Sequence, residues 1–87
     1  MSDKVLGVYV QLTESERGWG QRPDGYLIST DLDKLNARCK QYPIGDANSY
    51  VYADDPRPIK LSFRVAEEIN MSSDGVIWVR NLKELNK

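Results

Sequence analysis

The chain has 87 residues with twelve basic and thirteen acidic side chains, a formal net charge of −1 and a single cysteine. This length provides one small core, so residues 1–87 are expected to form a single domain. The charge balance lacks the basic excess that is typical of nucleic-acid-binding proteins, and a lone cysteine excludes an internal disulfide.

The first two predicted strands form a hairpin. Apolar side chains alternate over residues 5–12, which predicts a strand with apolar groups on both faces. Residues 13–25 are rich in glycine and charge and include a Pro-Asp-Gly sequence, which is typical of a turn. Residues 26–28 then predict a short second strand. We therefore expect a β-hairpin whose strands are joined by a long, irregular connection.

A helix follows the hairpin. Thr30 or Asp31 can accept a hydrogen bond from an unpaired backbone amide at the helix start, and Pro43 marks its end. The apolar face of this helix has side chains at helical spacing, namely Leu32, Leu35, Cys39 and Tyr42. We expect Cys39 to be a small buried apolar residue on this face.

Two further elements precede the last strand. Residues 49–53 predict a third strand, which the prolines of residues 54–58 interrupt. Residues 59–70 fit either the alternating pattern of a strand or the spacing of a helix. Their alanine and glutamates favour a helix over residues 62–71, which Ser62 can cap, and a strand is the alternative.

The carboxyl-terminal segment predicts one buried strand. An Asp-Gly turn precedes residues 76–79, which form a continuous apolar run. Asn81 can cap a short final helical turn. The elements together predict an α+β domain in the order ββαβαβ, with an antiparallel sheet of about four strands and one or two helices packed on one face.

The sequence contains no histidine, which removes the commonest general base and the commonest transition-metal ligand. Without a histidine, Cys39 also lacks the base that most often activates a thiol. Asp46, Asp54 and Asp55 lack the spacing of a calcium-binding loop, and ordinary loop positions explain their carboxylates. The sequence therefore predicts no catalytic residue, no metal site and no cofactor.

Residues 17–26 are the first candidate for a contact surface. They combine a tryptophan between two glycines with arginine side chains, and both of these residue types are enriched in binding hot spots. Trp19 either projects from this segment as a contact residue or folds back onto the core, and the sequence leaves both alternatives open.

A second candidate surface joins the tyrosines of the third strand to the loop that follows it. Tyr50 and Tyr52 share one face of that strand, and Tyr9 can join them. This aromatic face either packs as an ordinary part of the sheet or forms a platform for a partner. The residues predicted from both surfaces to bind a partner are Arg17, Trp19, Gln21, Arg22, Asp24, Tyr26, Asp54, Asp55 and Arg57.

Two turn sequences support a resemblance to other proteins. The residues of the first turn are Arg22, Pro23, Asp24, Gly25 and Tyr26. The second turn, at Asp74 and Gly75, precedes the last strand. With a helix and a loop rich in aspartate and proline between the two turns, the chain resembles a group of small bacterial and phage proteins that share an Arg-Pro-Asp-Gly-Tyr turn. The resemblance implies an origin in a phage or another mobile element and implies no activity.

These observations predict a non-enzymatic protein that binds and occludes a partner. Under the leading hypothesis, the chain is a phage or mobile-element inhibitor of a host protein or protein complex, such as an antiviral defence component, in the manner of an anti-CRISPR protein. The second hypothesis is a sponge for a signalling nucleotide that uses Arg17, Arg22 or Arg57 across a homo-oligomer interface. An accessory protein that binds nucleic acid is the third.

The apolar segments of the chain are short. Residues 1–12 lack the apolar segment of a signal peptide, and no apolar run approaches the length of about 18 residues that is needed to cross a membrane. We therefore expect no membrane association and a location in the cytoplasm. For a phage-encoded chain, this is the cytoplasm of the host cell.

Overall fold

The computed structural model describes residues 4–86, which form one antiparallel sheet with two α-helices and a terminal 3-10 helix. The strands are β1 (Lys4–Glu16), β2 (Gly20–Ser29), β3 (Ile44–Gly45), β4 (Ser49–Ala53), β5 (Arg57–Ser62) and β6 (Val76–Val79). The helices are α1 (Leu32–Cys39), α2 (Phe63–Met71) and the 3-10 helix (Leu82–Asn86). The α+β class, the antiparallel sheet and the helices are confirmed. The expected strand number of about four and the order ββαβαβ are wrong, because the sheet has six strands in the order ββαβββαβ.

The central strand is β1, with β2 on one side and both β4 and β5 on the other. The order across the sheet is β3-β4-β1-β2-β6. The second half of β1, residues 12–16, pairs with β4, and the first half, residues 4–9, pairs with β5. These two strands therefore behave as one strand that is interrupted at residues 54–56, within the segment where the sequence predicted a break.

The helices cover opposite faces of the sheet. The face covered by α1, which we call the α1 face, has the buried residues Val10, Leu12, Leu27, Leu35 and Val76. The face covered by α2 and the 3-10 helix, the α2 face, has the buried residues Ile28, Leu61, Val65, Ile69 and Leu85. The expectation that the helices share one face is wrong, because β1, β2 and β6 carry apolar side chains on both faces and each face needs a cover.

The long connection expected over residues 13–25 is wrong, because most of this segment is strand. Only residues 17–19 form the turn between β1 and β2. The strand ends on either side carry polar side chains on both faces, so they lack the apolar alternation that identifies a strand in a sequence. Their pairing places Glu14 opposite Arg22.

The Pro-Asp-Gly sequence, expected to be a turn, forms a β-bulge inside β2. The pairing register with β1 shifts between Gln11 and Thr13, so residues 24–25 together lie opposite a single residue of β1. Gly25 has φ +97°, and a Cβ atom there would come within 2.2 Å of Nε1 of Trp78. Glycine is therefore required by the backbone conformation and by the close approach of the indole.

Both helices begin at the caps that the sequence predicts. The N–H of Asp33 donates to Oδ1 of Asp31 at 2.8 Å at the start of α1. The N–H of Val65 donates to Oγ of Ser62 at 3.2 Å at the start of α2. The ambiguous residues 59–70 contain both expected elements in succession, since β5 ends at Ser62 and α2 follows directly.

The first helix is shorter than its apolar spacing predicts. It ends at Cys39, and Tyr42 packs against the cluster of the α1 face from the loop that follows. Leu32, expected on the apolar face, is 46% exposed. Cys39 is half-buried at the margin of the same cluster rather than fully buried.

The sheet has a half that carries the helices and a half that extends away from them. The main helix contacts are with β1, β2, β5 and β6. The other half, which we call the arm, consists of residues 13–16, 20–23, 44–45 and 49–52. The molecule measures 48 × 23 × 18 Å along its principal axes.

Within residues 4–86, neither helix has the length and apolar character needed to span a membrane.

Candidate interaction surfaces

The tip of the arm is a tight turn that exposes Trp19. The N–H of Trp19 donates to the carbonyl of Glu16 at 3.0 Å, and Gly18 between them has φ +88°. These values are typical of a type II turn, in which a glycine occupies the third position. The N–H of Arg17 donates to the carbonyl of Asn48 at 2.7 Å, which ties the turn to the loop before β4. Trp19 is 84% exposed, so the alternative in which it folds back onto the core is wrong.

Charged side chains lie beside Trp19, on the side of the arm that continues the α1 face. Glu16, Trp19, Gly20 and Arg22 line a depression of about 210 Å³, which we call the tip surface. The Nη2 atom of Arg22 lies 2.7 Å from Oε1 of Glu14 and 3.5 Å from Oε2 of Glu16. The hydrogen bond to Glu14 and the charges of both glutamates raise the pKa of the Arg22 guanidinium. A charged group is thereby held next to the exposed indole.

A larger groove lies on the other side of the arm, at the interruption between β4 and β5. It has a volume of about 530 Å³, and we call it the break groove. Its lining residues are Tyr9, Gln11, Tyr52, Ala53, Asp54, Asp55 and Arg57. Along β1, odd-numbered residues line the groove and even-numbered residues line the tip surface, so the two surfaces lie on opposite faces of the sheet.

A hydrogen-bonded network fixes Asp54 at the edge of the break groove. Thr13 is only 6% exposed, and its Oγ1 donates to Oδ2 of Asp54 at 3.1 Å. The Nε2 atom of Gln11 donates to the same Thr13 oxygen at 3.4 Å. The N–H of Asp54 donates to the carbonyl of Gln11 at 2.9 Å. The backbone of Asp54 and one of its carboxylate oxygens are therefore both anchored to β1.

The remaining charged side chains of the break groove have no ionic partner among residues 4–86. Asp55 and Arg57 are exposed, and neither takes part in an ion pair with another described residue. Arg57 is the neighbour of Tyr9 in the pairing of β5 with β1. The groove thus combines a guanidinium with the carboxylates of Asp54 and Asp55, and its lining carries a net negative charge.

Four tyrosines form two ring contacts, one of them packed on the core and the other partly exposed on the arm. Tyr9 and Tyr26 contact each other edge to face, with ring centroids 6.0 Å apart, and both pack against the cluster of the α2 face. The rings of Tyr50 and Tyr52 are also 6.0 Å apart, and Tyr50 is 36% exposed. Tyr9 and Tyr52 both line the break groove. The aromatic face is therefore sheet packing at one end and accessible surface at the other.

The residues expected to bind a partner do not form one surface. The tip holds Arg17, Trp19 and Arg22, and the break groove holds Asp54, Asp55 and Arg57. Gln21 and Arg22 alternate along β2, and both line a further depression that includes Tyr52 and Asp54. The carbonyl of Asp24, in the bulge, accepts a hydrogen bond from Nε1 of Trp78 at 3.3 Å. Tyr26 is half-buried against the core, so it contributes to packing.

The sequence did not identify the residues that support these two surfaces. Gln11 and Thr13 acquire their roles only through the register of β1 with β4, and no local pattern marks them. Glu14 does have a signal, because Glu14 and Arg22 are placed symmetrically about Gly18, as a cross-strand ion pair about a hairpin turn would be.

Parts of the sheet edges carry features that hinder the addition of another strand. Pro58 interrupts the edge of β5, and β3 has only two residues. Beside β6, the Oδ1 atom of Asp74 accepts the N–H of Val76 at 3.2 Å, and Oε2 of Glu84 accepts the N–H of Arg80 at 2.8 Å. Prolines, very short strands and capped amides block strand pairing. These features hinder strand addition at β3, at Pro58 and at the two ends of β6.

Two further features concern possible metal ligands and the thiol of Cys39. Among residues 4–86, no three aspartate, glutamate or cysteine side chains are grouped as metal ligands. Burial raises the pKa of the Cys39 thiol, which keeps the thiol protonated at neutral pH.

Comparison of the chain with protein-family models, with curated proteins and with solved structures finds no match.

Proposed function

We propose that the chain is a non-enzymatic protein-binding module that contacts its partner with the tip surface. The observation that carries this proposal is the 84% exposure of Trp19 at the end of the arm. Burial of a tryptophan removes about 150–250 Å² from water, which at about 25 cal/mol/Å² supplies roughly 4–6 kcal/mol toward association, before the entropy costs of binding.

The arm lowers the entropy that such a contact costs. The hydrogen bond to Glu16 fixes the backbone of Trp19, and the ion pair with Glu14 holds Arg22 beside it. A preorganised tryptophan next to an arginine is the composition of a binding hot spot.

The narrower role that we propose is the occlusion of a host protein, such as an antiviral defence component, by a chain of phage or mobile-element origin. Its support is the small single domain, the absence of histidine and the resemblance carried by the Arg-Pro-Asp-Gly-Tyr sequence. Under this proposal the protein acts in the cytoplasm of the host cell.

The geometry favours protein binding over a nucleotide sponge. Of the arginines expected in a nucleotide site, Arg22 is already paired with Glu14, and Arg57 shares its groove with Asp54 and Asp55. The third, Arg17, is exposed and has no carboxylate partner among the described residues. Carboxylates beside a single guanidinium oppose the binding of a phosphate, because their charges repel it.

The change that tests the proposal is Trp19→Ala, with Phe63→Ala as the matched control, because Phe63 is also an aromatic residue and is 61% exposed. Tagged forms of both variants and of the unchanged chain are used to capture proteins from a lysate of the source cell or its host, and the captured proteins are quantified by mass spectrometry. We expect Trp19→Ala to lower capture of the specific partner about tenfold or more, as for other hot-spot residues. Phe63→Ala should leave capture unchanged.

Thermal unfolding of the same variants verifies that the fold is intact, since neither side chain belongs to the core clusters. Adding Arg22→Ala to Trp19→Ala should lower capture further. Full capture by this double variant would contradict the assignment to the tip surface. Native mass spectrometry that finds a bound small molecule, with no captured protein, would favour the nucleotide sponge instead.

A further inference from the structure

We propose that the break groove is a second binding site, which accepts the guanidinium group of an arginine side chain presented by a partner protein. The groove shares no lining residue with the tip surface, although the depression that continues it reaches Arg22. The inference rests on the lining, the charge and the shape of the groove.

The walls of the groove suit a flat cation. Tyr9 and Tyr52 line it together with the amide of Gln11. A guanidinium is planar and weakly hydrated, so it stacks on a tyrosine ring more favourably than a compact, strongly hydrated ammonium group does. This lining therefore discriminates in favour of arginine over lysine.

The charge of the groove also favours a cation. The hydrogen bond from Thr13 engages one carboxylate oxygen of Asp54, and no donor among the described residues engages the other. Asp55 makes no hydrogen bond or ion pair within the described chain. Carboxylate oxygens without a protein donor can accept the charge-assisted hydrogen bonds of a guanidinium. Because Asp54 is already anchored to β1, little conformational entropy is lost when it binds.

The shape of the surface favours a peptide over a compact ligand. A second depression of about 300 Å³ shares Gln11, Tyr52 and Asp54 with the break groove. It continues along the arm to Thr13, Gln21, Arg22 and Pro23, so a chain on this path also meets the guanidinium of Arg22. A segment of polypeptide can therefore follow this face of the arm while one of its side chains occupies the groove.

Substitution of Arg57 distinguishes the binding of a guanidinium from the binding of an anion. As a cation that lines the same groove, Arg57 repels a bound guanidinium. It would instead attract the phosphate of a nucleotide. Arg57→Ala should therefore leave arginine binding unchanged or make it tighter, whereas it should weaken the binding of a nucleotide.

The experiment is a titration of the ¹⁵N-labelled full chain, followed by amide chemical shifts. The probes are N-acetyl-L-arginine amide, the corresponding lysine and glutamine amides, and GMP. We expect saturable shifts around Gln11, Tyr52 and Asp54 with the arginine probe and a dissociation constant on the order of 1 mM, the usual range for so small a ligand. The lysine probe should bind several-fold more weakly, and the glutamine probe should cause no saturable shift.

Two variants locate the site. Asp54→Asn preserves the acceptor for Thr13 but removes the charge, and Asp55→Asn removes the neighbouring charge from an exposed loop position. Each should weaken arginine binding about threefold or more, whereas Glu67→Gln, the same change on the exposed side of α2, should have no effect. Thermal unfolding reports separately whether Asp54→Asn disturbs the fold.

Three results would overturn the proposal. The first is the absence of a saturable shift at the groove up to about 50 mM of the arginine probe, far above the affinity expected. The second is equal affinity for the arginine and lysine probes. The third is binding of GMP at the groove that Arg57→Ala abolishes, which would identify an anion site.

Discussion

The two halves of the sheet share β1 and β2 but are stabilised differently. In the half that the helices cover, Val10 and Leu27 lie opposite each other on one face, and Tyr9 and Ile28 lie opposite each other on the other. Each face there is closed by a helix. In the arm, the same strands carry mainly polar side chains, and hydrogen bonds, an exposed ion pair and a tight turn hold them together. A single pair of strands therefore serves as core at one end and as a rigid support for contact residues at the other.

The largest expected difference is in the free energy of unfolding, when one large apolar side chain is truncated in each half. Ile28 is fully buried, so Ile28→Ala should lower the free energy of unfolding by about 2–5 kcal/mol through lost burial and the cavity left behind. Trp19→Ala, although it removes a larger side chain, should change this free energy by less than about 0.5 kcal/mol. Urea denaturation of both variants measures the difference. Comparable losses would mean that Trp19 packs against the molecule in solution.

The next comparison concerns two glycines with positive φ, one in the bulge between the halves and one at the tip. Gly25→Ala should cost about 2–4 kcal/mol, because it combines backbone strain with overlap of the new Cβ and the indole of Trp78. Gly18→Ala has no atom within 4 Å of the new Cβ and should cost only the backbone strain, about 1–2 kcal/mol. Equal shifts of Tm would show that Trp78 does not pack on the bulge.

A smaller effect is expected at the ion pair of the arm. Glu14→Gln removes the charge of the group 2.7 Å from Nη2 of Arg22 but keeps an oxygen that can accept its hydrogen bond, and salt screens an ion pair of this kind. We therefore expect little change in Tm and faster hydrogen exchange of the amides in residues 14–16 and 20–22. Raising the salt concentration of the unchanged chain should have the same effect. Unaltered exchange in both cases would mean that the ion pair does not hold the arm.

The smallest expected change in Tm comes from Asp74, in the half that carries the helices, and it depends on pH. The hydrogen bond from Arg38 lowers the pKa of Asp74 and links α1 to the turn before β6. Because the folded pKa lies below the unfolded value of about 3.9, the stabilisation is fully present above that value and is lost as the pH falls through the folded pKa. The difference in Tm between the unchanged chain and Asp74→Asn should therefore be present at pH 7 and shrink as the pH falls below about 4. A difference independent of pH would exclude this linkage.

The half with the helices was largely predictable because its signals are local. Apolar periodicity and the caps at Asp31 and Ser62 located both helices, and a continuous apolar run located β6. The placement of the helices on opposite faces was not predicted, since apolar alternation does not tell which helix covers which face. Residues 59–70 fitted both a strand pattern and a helix pattern, because the end of β5 and most of α2 follow each other there.

The arm was not predictable, because its signals depend on pairing. A polar strand end has no apolar alternation, and a Pro-Asp-Gly sequence satisfies a bulge as well as a turn, since both need a residue with positive φ. Trp19, Arg22 and Asp54 were identified by residue type, but their division between two opposite faces follows from the register. The Thr13–Asp54 hydrogen bond joins residues that are 41 positions apart in the sequence, so no local pattern could reveal it.

The most direct test of the arm as a contact element is photocrosslinking inside the cell. The photoreactive amino acid p-benzoylphenylalanine, itself aromatic, is placed at position 19 in one form of the chain and at position 63 in another, both of which are exposed aromatic positions. We expect irradiation to join the first form to one discrete protein and to leave the second form unlinked. No discrete product from position 19, or the same product at equal yield from position 63, would contradict the account.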